Sequence, residues 1–150
     1  IYSFTVASTL ARLMGLGAFW ILISGVMAAI LDSIIDSGHR GHRRSAITHS
    51  IASAPAPLII AFIAGLLMPL TGIGFEMDVL IQLGLIMSAS FLGHLFWDSL
   101  TVNGIHVPGA GWVSLAHFES RGVINMIPVL FAVAIILLFW SSPFQTEMFF

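Results

Sequence analysis

Lysine and cysteine are both absent from the 150 residues, and tyrosine occurs once. Without cysteine there are no disulfides and no thiolate metal ligands. Charge is scarce as well, at 8% of residues, where a soluble domain carries about 25%. A water-facing surface needs more charge than that, so an ordinary soluble domain is excluded. The five basic residues are Arg12, Arg40, Arg43, Arg44 and Arg121, and no basic run points to nucleic acid. Hydrophobic residues make up 58% of the chain, and they fall in long runs.

A hydrocarbon layer about 30 Å thick is crossed by about 20 apolar residues in a helix. Spans are expected near residues 13–36, 51–70, 79–98 and 123–140. The expected fold is therefore all-α, a single domain over 1–150 forming a multi-pass bundle of about four transmembrane helices in a cell membrane. The lipid bilayer is its first partner. Residues 1–12, apolar but closed by Arg12, read as a short interfacial helix or as the end of a longer one, since a chain starting at Ile1 rather than Met points to residues upstream. In the second span Pro55 and Pro57 favour a helix that starts near Ala54, because proline suits a first turn and kinks an interior one. Trp97 and Trp140 read as lipid-facing or interfacial anchors.

Three of the five arginines lie in residues 37–48, SGHRGHRRSAIT, and a fourth in residues 99–122. The excess of Arg in cytoplasmic loops places both connections on that side. The few polar residues of the spans then gather at the same face. Asp32 and Asp36 close the first span, His39 and His42 follow, His49 opens the second, and His94 and Asp98 close the third. His106, His117 and Glu119 lie in the third connection. Ionisable groups are expensive at membrane depth, which makes them functional candidates. His94 and Asp98, four apart, share a helix face. Gly38 permits a sharp turn between Asp36 and His39. Neutral imidazole and carboxylate are ligands for zinc and other divalent ions. The bland readings are an interfacial Asp32, a solvated basic loop around His42, a plain loop residue at His106, and a hydrogen-bonded His94–Asp98 pair.

Two blocks, IIDSGHRGHRRSAITHS at 34–50 and GHLFWDSLTVNGIHVPGAGWVSLAHF at 93–118, resemble an archaeal family of small membrane proteins. That family shows I-D-x-x-G-H and T-H elements, then H-x-x-x-D-x-x-T-x-x-G. The pattern is shared with the wider YdjM-like group of membrane-bound metal-dependent hydrolases. Asp36, His39, Arg44, Thr48 and His49 match the first block. His94, Asp98, Thr101, Gly104 and His117 match the second. The D-x-D-H arrangement usual in that group is replaced here by Asp32 and Asp36, four apart.

These readings lead to one expected site. Asp36, His39, His49, His94 and Asp98 are its candidate metal ligands, with zinc the expected ion. His117 and Glu119 are candidates for a further ligand or a general base. Arg43 and Arg44 could take an anionic head group, since guanidinium matches phosphate bidentately. The expected activity is metal-dependent hydrolysis of a lipid-like or phosphoester substrate at the cytoplasmic face. One alternative is a non-catalytic accessory subunit docked on other membrane subunits. The other is a haem held between His49 and His94.

Overall fold

The computed structural model describes residues 2–37, 44–72, 76–119 and 126–140. Helix α1 (Tyr2–Leu13) opens the chain and packs into the bundle against α2 (Ala18–Ser37). It also contacts the later helices α4 (Met77–Ser99) and α5 (Ile127–Trp140). Its buried face is small and partly hydroxylic: Ser3, Thr5, Ala7, Ser8, Thr9 and Ala11. Small residues let helix backbones approach, and hydroxyls bridge them where water is absent. Gly25 of α2 sits so close to Ser8 and Phe4 that any Cβ there would collide with them. Ser8 Oγ donates to the Ile21 carbonyl at 3.2 Å, and Ser24 Oγ donates to the same carbonyl at 2.9 Å. The turn out of α1 is set by Gly15, left-handed at φ 75°. Its N–H donates to Arg12 O, and that of Leu16 to Ala11 O, the paired bonds of a Schellman C-cap. This turn is why α2 starts at Ala18, several residues later than the hydrophobic run suggests.

The second span starts as the proline pattern predicts. A 3₁₀ turn (Ile51–Ser53) is capped by Ser50 Oγ, which accepts from Ala52 N–H. Helix α3 (Ala56–Leu67) follows Pro55, with Pro57 in its first turn, and runs on as a 3₁₀ segment (Met68–Thr71). Helix α4 (Met77–Ser99) is the central strut and packs on α1, α2 and α3. Helix α5 (Ile127–Trp140), shorter than a full span, lies on α1. Among the described residues three segments, Ala18–Asp36, Ile51–Thr71 and Met77–Ser99, are long and apolar enough to cross a membrane. Large side chains such as Leu22, Ile60, Leu66 and Leu130 face outward, a surface suited to hydrocarbon rather than water.

The connection after α4 departs from an all-α fold. Strands β1 (Ile105–Val107) and β2 (Gly111–Val113) pair antiparallel, with His106 opposite Trp112. His106 is thus a strand residue and not a plain loop residue. The hairpin is fastened to the helices by backbone bonds: His106 N–H donates to His49 O at 2.8 Å, and Leu115 N–H to Ser99 O at 2.7 Å. Two apolar clusters fill the bundle. Ala7, Ala28, Leu83 and Ile86 lie among α1, α2 and α4. Ile35, Ala54, Phe91 and Leu95 form a layer nearer the hairpin end. Trp97 packs edge-on against Tyr2 and Phe131, so its ring serves the helix interface as well as the rim.

Candidate metal centre

The C-terminal ends of α2 and α4 and the segment leading into α3 meet at one end of the bundle. On α4, His94 and Asp98 stand one turn apart, and His94 Nε2 lies 3.2 Å from Asp98 Oδ2. His49 enters from the segment before α3. It is wholly buried, and its Nε2 lies 3.5 Å from the same Asp98 oxygen. One ligand atom from each of His49, His94 and Asp98 lies within 4.8 Å of the other two. These are three of the five expected ligands. Asp36 stands at the rim, half-exposed, with Oδ1 3.8 Å from His94 Nε2. His39 lies outside the described residues, as do Arg40, His42 and Arg43.

Each imidazole is oriented by its other nitrogen. His94 Nδ1 is 2.5 Å from Asp32 Oδ1, an approach that needs a proton between them, so Nδ1–H donates. His49 Nδ1 is 2.9 Å from Thr48 Oγ1 and 3.3 Å from the Ser45 carbonyl. A carbonyl only accepts, so the tautomer that satisfies both contacts carries its proton on Nδ1. In the neutral ring the lone pair then sits on Nε2, the atom aimed at Asp98 in both histidines. Carboxylate or carbonyl acceptors behind a ligating histidine are the usual outer support of a metal site.

Asp98 is held just as firmly. Its Oδ1 receives Arg44 Nη2 at 2.8 Å, and Arg44 Nη1 donates to Gly104 O at 2.8 Å. The Arg44 side chain is only 8% exposed, so it clamps the site and does not sit in a solvated loop. The clamp takes Oδ1 and leaves Oδ2 to the cluster. Gly104 presents its carbonyl from a left-handed conformation, φ 60°, where a Cβ would strike the Val113 backbone. Thr101 Oγ1 donates to Asp98 O at 2.8 Å and fixes the end of α4. The spacing H-x-x-x-D-x-x-T-x-x-G therefore reads as two candidate ligands, a helix stop and an arginine anchor.

The donor set fits a divalent ion. His94 Nε2 and Asp98 Oδ2 are buried, and neither forms an aligned hydrogen bond with another group among the described residues. Buried polar atoms in that condition are rare and call for a partner. Among the described residues, and with both imidazoles neutral as metal ligation requires, Asp32, Asp36 and Asp98 against Arg44 would leave two negative charges for one divalent cation to balance. Asp98 Oδ2 is shared by the two rings, 3.5 Å from His49 Nε2 and 3.2 Å from His94 Nε2. His117 and Glu119, the expected base candidates, are both exposed and lie outside the converging group.

Asp32 and Arg44 are the contributors that residue spacing undervalued. Asp32 lies one helical turn before Asp36, which was a signal that both reach the same end. Arg44 is expected from the sequence to take an anionic head group and not to hold Asp98, because its partners are remote in sequence. No family model, curated protein or solved structure gives a significant match to this chain.

Proposed function

We propose that the chain is a multi-pass membrane protein that binds a divalent metal ion, zinc by its donor set, through His49, His94 and Asp98. We further propose that it hydrolyses a phosphoester or lipid-like substrate at the cytoplasmic face. The observation that carries this reading is the aim of two Nδ1-anchored imidazoles and one clamped carboxylate at a common point. The motif resemblance to the YdjM-like group supports the hydrolytic assignment.

His49, His94 and Asp98 would hold the ion, and it would supply Lewis-acid polarisation of an ester oxygen and a water activated near neutral pH. The chain's own residues supply the rest. Asp32 and the Ser45 carbonyl fix the two rings. Arg44 fixes Asp98 and brings positive charge next to the site. Asp36, at the rim, is placed to receive a proton or to complete the ligand set as substrate enters. His117 and Glu119 are exposed on the segment after β2, where Phe118 pairs with Thr101 at the end of α4.

The test is turnover by purified protein stripped with a chelator and then reloaded with zinc, assayed on p-nitrophenyl phosphodiester and on phosphatidate. Zinc-dependent hydrolysis lost in His94→Ala is the expected result. Full metal occupancy with no turnover, together with recovery in a stoichiometric assembly, would favour the accessory-subunit reading instead.

A further inference from the structure

Helix α2 packs on α1 and α4, while α3 packs on α4. Between α2 and α3 a groove of about 370 Å³ opens sideways, walled by Ile30 and Ile34 on one side and Ile60 and Ala64 on the other, with Leu83 and Met87 as floor. Every residue along it is apolar. Its walls belong to the three segments long enough to cross a membrane, so the groove faces hydrocarbon.

The groove and the metal cluster share an axis. On α4 the floor positions Gly84 and Met87 continue through Phe91 to His94 and Asp98 at steps of three or four residues, one stripe of the helix. Phe91, packed on Ile35 and Ala54, is the single layer between floor and cluster. The segment carrying His49 caps that layer before entering α3.

Size decides the occupant. A helix about 10 Å across fills on the order of 400 Å³ for each turn of about 5.4 Å. The groove holds less than one turn, so no partner helix inserts there. A single acyl chain is thin enough and matches the lining.

We propose that the groove binds an acyl chain of the lipid on which the site acts, which makes the substrate a lipid phosphoester with its tail between α2 and α3. The head-group half of this statement rests on the metal-site reading above. The tail half does not.

The experiment is photolabelling of the detergent-solubilised full chain with phosphatidate carrying a diazirine midway along one acyl chain, with labelled residues mapped by mass spectrometry. Label is expected on Ile30, Ile60 and Met87 above that on the outward α5 positions Leu130 and Leu138. Ala64→Phe, which fills the groove, is expected to cut groove label about tenfold, a tenfold loss of affinity. Ile30→Phe, on the exposed opposite wall, is the second filling variant should the first not fold. Excess unlabelled phosphatidate is expected to displace the label, and inorganic phosphate is not. Groove label that persists in His94→Ala, with metal lost, upholds the tail site and separates it from the metal reading. Label no stronger than on α5, label unchanged by both filling variants, or cross-links showing a second copy over the groove would each overturn the proposal.

Discussion

His94 and Asp32 meet through Nδ1 and Oδ1 at 2.5 Å, and this contact turns the far nitrogen of the ring towards Asp98. An aspartate on α2 thereby sets the aim of a histidine on α4. The two helices are tied at the level of the site by the group that prepares the ligand.

Removing that carboxylate tests its role. Asp32→Ala is expected to weaken zinc binding about 10- to 100-fold, the usual cost of losing an outer partner of a metal ligand. Asp32→Asn, which keeps an acceptor but not the charge, should fall between. Competition against a chelating dye measures both. Unchanged affinity in Asp32→Ala would mean that the ring is held by packing alone.

Arg44→Gln addresses the clamp on Asp98. Taking one partner from a buried ion pair costs about 3–5 kcal/mol, because the other charge is left uncompensated. Both side chains are almost buried, at 8% and 13% exposure, so the full effect should be felt. The variant should unfold at a lower temperature in detergent, and zinc should restore part of the loss by neutralising Asp98. A drop in stability that zinc does not touch would place Arg44 outside the site's electrostatics.

Gly104→Ala tests the hairpin as support. Holding a non-glycine residue in the left-handed region costs about 1–3 kcal/mol, and here the added Cβ also meets the Val113 backbone. Gly109→Ala is the control: it too is left-handed, φ 83°, but a Cβ there meets nothing within 4 Å. The expected order of melting temperatures is wild type, then Gly109→Ala, then Gly104→Ala. Zinc affinity should fall in Gly104→Ala alone, since only Gly104 anchors Arg44.

Long-range order was legible where hydropathy carries it. The three long apolar segments, the late start of α3 behind Pro55, and the gathering of Asp36, His49, His94 and Asp98 at one end all follow from span length and alternation. Helix α1 was missed as a bundle member because twelve residues fall below the length of a span. Its place is decided by Ala7, Ser8 and Ala11 fitting against Gly25, a matter of shape that hydropathy does not register. The β-hairpin escaped because three-residue strands give no periodicity, although V-P-G-A-G between apolar residues is a turn signal. Arg44 reads in the sequence as a cation for an anionic head group because charge counting sees neighbours along the chain, whereas its partners, Asp98 and Gly104, arrive through the fold.

The central claim is a divalent ion held by His49, His94 and Asp98, and metal analysis of purified protein reads it most directly. Inductively coupled plasma mass spectrometry on zinc-repleted, desalted wild type is expected to show about one ion per chain, as a single site of this ligand number requires. His49→Ala, His94→Ala and Asp98→Ala should each lose it. Wild type that retains no zinc, manganese or other divalent ion after repletion would contradict the account.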